Sequence, residues 1–201
     1  MDPAANKEVL FVKHTNSLES VLRADGLLRA GAGRDVDILG VSNDSRHVHV
    51  GDLFICKGYG FKPEYLLMAQ RAGAVCYLSE EKYGACSLPA ILISDVRKAQ
   101  SLAARWFYDC PSDSLDLIGV TGTKGKTTTA YMIQAITNAI AGRPTGLSSS
   151  AGRYCGGPDV DTHLTTPESL DLQWLFAQAR DHGLRYMTDQ VSRQVYLVER
   201  V

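Results

Sequence analysis

Residues 115–136 read LDLIGVTGTKGKTTTAYMIQAI, and this stretch sets the class of fold. An apolar run (Leu115, Leu117, Ile118, Val120) feeds a turn with glycines at 119, 122 and 125. Lys126 and three threonines follow, then a helical pattern carrying Tyr131, Met132, Ala135 and Ile136. Strand, glycine turn, Lys-Thr and helix is a phosphate cradle. Glycine lets backbone N–H groups close around phosphate oxygens, and the helix N-terminus adds partial positive charge. The lysine then reaches the terminal phosphates, and the following hydroxyl ligates magnesium. The stretch fits G-x-x-G-x-x-G-K-T-T rather than the strict P-loop string, because Val120 stands where that string has its first glycine. The spacing predicts nucleoside-triphosphate binding through Gly122, Thr123, Lys124, Gly125, Lys126, Thr127 and Thr128. The bland alternative is an ordinary glycine turn before a helix, which two spaced glycines ahead of Gly-Lys-Thr argue against.

Working outward, the rest of the chain is that of an ordinary globular protein. Its 201 residues suffice for one large domain or two small ones. The formal net charge of −1 suggests neither a nucleic-acid nor a membrane surface. No apolar run approaches the roughly 20 residues of a membrane helix, and MDPAANKEVLFVKH lacks the layout of a secretion signal. Five scattered cysteines without a C-x-x-C pair read as reduced cytosolic thiols.

Ahead of the glycine loop, residues 17–30 predict a helix capped by Ser17, with Leu18, Val21 and Leu22 inward and Gly26 ending it. Ile38–Val41, Leu53–Cys56, Ala74–Leu78 and Ala90–Ile93 read as strands. Pro63 starts a helix through Ala72 that Gly73 stops. Asp95 caps a periodic helix carrying Val96, Ala99, Leu102, Ala103, Trp106 and Phe107 on one face, which Pro111 ends. Ser112–Ser114 then make a polar link. This places a domain boundary there, giving domains 1–113 and 114–201. Asp44, Ser45 and Arg46 share a loop and can bind a base or sugar edge, although loops commonly carry such residues for solubility. His47 and His49 share a strand face without a third ligand nearby and read as surface or packing residues.

Beyond the loop, GRPTGLSSSAGRYCGGP is turn-rich with one short strand expected. In THLTTPESLDLQWLFAQARDHGL, Thr166 caps a helix, Pro167 sits in its first turn and Gly183 ends it. Arg185–Val191 is the next strand. The fold class is therefore α/β: a small N-terminal α/β domain followed by a parallel-sheet P-loop domain that looks incomplete at two or three strands.

Three segments in order carry a family resemblance. GVTGTKGKTTT is similar to the TGTxGKTT signature of the Mur ligases, the ATP-dependent amide-forming enzymes of peptidoglycan precursor synthesis. NDSRHVHVGDLFICKGYGFKPEYLLMAQRAGA resembles the uridine-binding domain of the E-type branch, the UDP-N-acetylmuramoyl-tripeptide synthetases, with its DSR loop and GDLF strand. LTTPESLDLQWLF is similar to the segment whose paired threonines contact the muramoyl peptide. The resemblance implies uridine contacts at Ser45 and Arg46 and sugar-peptide contacts at Thr165 and Thr166. The triphosphate bound at 122–128 would be ATP, with its phosphates held by Lys126. Thr127 would ligate Mg2+. VSRQVYLVERV looks like the family's closing segment, which would set Ser192 and Arg200 on the substrate.

The implied reaction adds a diamino acid, lysine or diaminopimelate, to UDP-N-acetylmuramoyl-dipeptide in the bacterial cytoplasm. No catalytic residue is assigned. Two departures bear on it. Gln190 stands where the family has a magnesium-binding glutamate, and Arg193 replaces a serine; both changes should weaken metal and ATP binding. Asp189 is adjacent, but neighbours on a strand face opposite ways. The family continues into a carbamylated lysine, a second metal site and a C-terminal domain, so the chain reads as a fragment or a truncated gene product without turnover of its own. A non-catalytic UDP-sugar or nucleotide-binding module is the second reading. A folylpolyglutamate-type ligase is the third, opposed by the DSR and GDLF segment.

Overall fold

A computed structural model of the chain describes residues 12–58, 60–157 and 169–191. The chain divides into two compact units, Met1–Ala103 and Ala104–Val201. The division falls within a helix, ahead of the polar link at 112–114.

The first unit runs β1 (Lys13–His14), α1 (Thr15–Ala24), β2 (Leu28–Ala30), β3 (Asp37–Ile38), β4 (Gly40–Ser42), β5 (Asp52–Ile55), α2 (Pro63–Ala72), β6 (Cys76–Ser79) and β7 (Ala90–Ile93) into α3 (Val96–Phe107). A five-stranded sheet has the order β2-β7-β6-β5-β4. Strands β4 to β7 are parallel, and β2 lies antiparallel along the outer edge of β7. Parallel strands covered on both faces lack polar alternation. That is why all four residues of β5 and of β6 are buried. Phe54 and Tyr77 pack with Leu66 and Ala69 of α2.

Three local expectations are corrected here. Helix α1 begins at Thr15, and Ser17 is not its cap: Ser17 Oγ donates to the His14 carbonyl at 2.8 Å. The cap comes from Asp35, whose Oδ1 accepts from the Asn16 amide and the Thr15 hydroxyl, both at 3.1 Å. The single strand expected over 38–41 is two, because the Leu39 amide leaves the ladder to donate to Gly51 at 2.8 Å. Pro111 does not end α3 but opens a 3-10 turn, Pro111–Ser114. The helix has already stopped at Phe107, before Asp109 (φ 58) and Cys110 (φ 49) in the left-handed region. The Asp95 cap is present, its Oδ1 accepting from the amides of Arg97 and Lys98 at 2.9 and 3.2 Å.

The second unit contains β8 (Asp116–Val120), α4 (Lys126–Ala141), β9 (Gly146–Ser148), β10 (Arg153–Tyr154), α5 (Ser169–Asp181) and β11 (Tyr186–Gln190). Its sheet has the order β10-β9-β11-β8, with β8, β11 and β9 parallel and β10 antiparallel to β9. Where one strand was expected in 142–158 there is a hairpin. Ser149 makes it: its Oγ accepts from the amides of Ala151 and Gly152, both at 3.2 Å, closing the turn. Helix α5 packs Leu172, Leu175, Phe176 and Ala179 against Leu115, Leu184 and Met187. Helix α4 covers a smaller cluster of Val120, Ala130 and Leu147, and Met132, Ile136 and Ile140 stay exposed. The expected cap Thr166 and Pro167 lie outside the described residues. Among the described residues no helix is long and apolar enough to cross a membrane, and all five cysteines are free.

Candidate functional site

The glycine loop joins β8 to α4 at the C-terminal end of the parallel strands, where the strand order reverses around β11. Open α/β sheets bind ligands in that crevice. Gly122 and Gly125 carry φ of 152 and 77, a backbone region that side-chained residues rarely adopt. A side chain on Gly125 would meet open space, so its glycine serves conformation rather than packing. Gly125 is the N-cap of α4, and among the described residues no side chain caps that end. The first amides of a sixteen-residue helix therefore stand available to an anion.

Lys126 curls back over the loop, its Nζ donating to the Gly122 carbonyl at 2.9 Å. Among the described residues it has no carboxylate partner. Thr123, Lys124 and Thr128 are exposed on the same loop and first turn.

Thr127 points the other way, into the sheet end. Its hydroxyl donates to Gln190 Oε1 at 2.8 Å and lies 3.1 Å from Ser150 Oγ, which is itself 3.5 Å from Gln190 Oε1. The structure thus brings Thr127 and Gln190 together as the sequence implied. It adds Ser150, which the sequence reading missed; the only signal was the run Ser148–Ser150 before a glycine. Three neutral oxygens converge without a charge among them. Magnesium is held through one or two carboxylates plus phosphates, and the described residues offer no metal-holding group of acidic, histidine or cysteine side chains. The donor set does not fit a magnesium ion held by the protein alone. It fits a triphosphate, which brings its own charge.

Asp189 does not join them. Register places it between Gly119 and Ser148, on the sheet face opposite Gln190. Its carboxyl is pushed up from the ordinary value, chiefly by burial; a hydrogen bond from Ser148 and the charge of Arg153 oppose the shift. Among the described residues its Oδ1 has no hydrogen-bond partner.

In the first unit, the loop after β4 presents Ser45 and Arg46. Arg46 is already engaged. Its Nε and Nη2 donate to Asp44 Oδ1 and Oδ2 at 2.9 and 2.6 Å, and its amide donates to Asp44 Oδ1 at 3.0 Å. The Arg46 hydrogen bond is the main reason that the Asp44 carboxyl sits far below its ordinary value. Thr165, Thr166, Ser192, Arg193 and Arg200 lie outside the described residues.

The family described as the Mur ligase middle domain matches residues 120–195. The chain is 43% identical over 172 residues to the UDP-N-acetylmuramyl-tripeptide synthetase of Bifidobacterium longum, covering 85% of this chain and 33% of that protein. It is 42% identical over 168 residues to a UDP-N-acetylmuramoyl-L-alanyl-D-glutamate–L-lysine ligase of Streptococcus agalactiae, covering 84% and 34%. Among solved structures, a UDP-N-acetylmuramoyl-L-alanyl-D-glutamate–2,6-diaminopimelate ligase superposes with a TM-score of 0.68 at 25% identity, covering 82% of this chain and 34% of that one. MurF from Acinetobacter baumannii shares the fold at 19% identity and a TM-score of 0.60, covering 91% and 36%.

Proposed function

Because the chain belongs to the Mur ligase family and spans about a third of the length of the curated relatives it matches, we propose that it carries the nucleotide- and UDP-sugar-binding part of an ATP-dependent peptidoglycan ligase. The observation that carries this is the glycine loop with Lys126 folded over it and Thr127 beneath, at the C-terminal end of the sheet. Its substrates are ATP, entering with its magnesium, UDP-N-acetylmuramoyl-L-alanyl-D-glutamate and a diamino acid.

A carboxylate is a poor electrophile. ATP therefore transfers its γ-phosphoryl to the D-glutamate carboxylate and leaves as ADP; the diamino acid's amine attacks the acyl phosphate, the amide forms with loss of a proton from the amine, and inorganic phosphate leaves. Lys126 exchanges its carbonyl partner for phosphate oxygens, and the free amides at the start of α4 neutralise charge on the transferring group. Such fixed dipoles and charges supply most of the rate in phosphoryl transfer. Thr127 orients the phosphates from below. In the first unit the loop around Ser45 receives the uridine, with Arg46 holding the loop's shape. Thr165, Thr166, Ser192 and Arg200 are proposed as muramoyl-peptide contacts by family resemblance.

A second reading has its own observation. Gln190, Thr127 and Ser150 supply no negative charge, which favours a binding module without turnover. Calorimetry with ATP and with the UDP-muramoyl dipeptide, followed by an assay for tripeptide product with lysine or diaminopimelate, separates the two. Product formation by the purified chain sinks the binding-module reading. Binding of both ligands without product supports it. Failure to bind ATP removes the ligase reading, and binding of neither ligand removes both.

A further inference from the structure

The turn that leaves β2 and the segment that enters β7 enclose a cleft of about 440 Å³. Ala30–Arg34 form one wall; Lys82 and Ser87–Ala90 form the other. It lies far from the Ser45 loop. That loop leaves the C-terminal end of β4, at one edge of the five-stranded sheet, whereas the cleft sits at the N-terminal end of β7, beside the opposite edge strand. Four inter-strand gaps of about 4.8 Å separate those edges by roughly 19 Å, so no ligand group of nucleoside size touches both.

The cleft's chemistry is cationic. Arg34 and Lys82 are exposed, and among the described residues neither side chain has an ion pair or hydrogen bond. Arg46, by contrast, is held by the Asp44 carboxylate. Ser87 Oγ accepts from Gln70 Nε2 at 3.0 Å, which leaves its own O–H to donate. No carboxylate lines the cleft among the described residues, although Asp35 follows Arg34 and Glu80 and Glu81 precede Lys82 in sequence. Glu19 Oε1 accepts from the Ala32 amide at 2.6 Å, and a side chain on Gly31 would collide with it. Glu19 is thereby spent on fixing the turn, while the two exposed cations line the cleft. The size suits a small molecule with a few placed polar groups, and guanidinium with ammonium suits phosphoryl oxygens.

We propose that this cleft is a second anion site, one that binds a phosphate-bearing ligand through Arg34, Lys82 and Ser87, apart from the glycine loop and the Ser45 loop. The test is a site-resolved amide titration of the 201-residue chain at constant ionic strength, once with inorganic pyrophosphate and once with UDP. Amides of 31–34 and 87–88 should shift and saturate, and the double variant Arg34→Ser/Lys82→Ser should weaken that binding about tenfold or more, its other resonances unmoved. Tighter UDP than pyrophosphate at those amides identifies a nucleotide as the source of the phosphate; the reverse identifies an inorganic one. Shifts confined to 122–127, or equal affinity in the double variant, overturn the proposal.

Discussion

Arg46 and Lys126 are both cations in the connections that leave the C-terminal end of a parallel strand, and both are implied by resemblance to hold substrate. The structure treats them differently. Arg46 is forked onto the Asp44 carboxylate, whereas Lys126 has only the neutral Gly122 carbonyl. A charge-assisted, bidentate pair is roughly twice as strong per bond as a neutral one. Drawing Arg46 away leaves a carboxylate behind; drawing Lys126 away leaves a carbonyl that water satisfies. The lysine is therefore the group poised to change partners, and the arginine is the group that shapes its loop. Position in a motif does not distinguish these roles. The partner does.

The largest expected effect follows from that difference. Lys126→Met should lower ATP affinity about a hundredfold, the loss of a charged hydrogen bond to phosphate of roughly 3 kcal/mol. Stability should move by no more than about 0.5 kcal/mol, since the ammonium anchors nothing else. Calorimetry and thermal unfolding check both halves, and an unfolded variant would break the comparison. Arg46→Ala should do less to the UDP-muramoyl dipeptide, about tenfold or under, because it acts through loop shape. Restoring the charge without the shape should not rescue it: Arg46→Lys, which cannot fork onto Asp44, should resemble the alanine variant. If the lysine variant binds like the parent, Arg46 is a ligand contact after all.

A next step sharpens the nucleotide side. Gln190 is 5% exposed and accepts from Thr127. Gln190→Glu places a carboxylate among neutral partners, which should cost about 1–3 kcal/mol without ligand. With Mg·ATP the same charge should raise affinity about tenfold. Thermal scans with and without nucleotide should therefore cross: the variant melts lower when empty and gains more when loaded. A variant lower under both conditions would show that the neutral set is already matched to its ligand.

How far this was legible depended on whether the determining contact is local. The glycine loop, the limits of α2 and β7, and the Asp95 cap of α3 follow from residues within a few positions of each other, and all appear where expected. Where partners come from afar, the reading shifted. Asp35 caps a helix from beyond two turns and a strand. Leu39 leaves its ladder for Gly51. Ser149 folds β9 and β10 into a hairpin using side-chain bonds that its run of serines does not announce. In the site, Lys126 and Thr127 were legible from spacing, and the opposition of Asp189 to Gln190 from strand alternation. Ser150 was not, since its place depends on that hairpin. Nor was the engagement of Arg46, because Asp-Ser-Arg does not say whether the two charges pair or splay.

The smallest effects concern two aspartates that repeat the contrast between paired and unpaired charge. Asp44 is held below its ordinary value of 3.8 by Arg46, and Asp189 is raised above 3.8 by burial. Their contributions to stability run in opposite directions. For Asp44 the unfolded chain binds the proton first, so its stabilisation is present above 3.8 and is lost as pH falls toward the lower folded value. For Asp189 the folded chain binds the proton first, so stability falls as pH rises through the interval above 3.8 and returns on acidification. Denaturant unfolding at steps across pH 3–7 should show Asp189→Asn removing the decline on the neutral side. Asp44→Asn should flatten the acid side, and only slightly, because an ion pair open to water is screened. If Asp189→Asn leaves the neutral side unchanged, the pairing with Ser148 and Arg153 already offsets its burial. The carboxylate facing away from the glycine loop would then be as settled as the one beside Arg46.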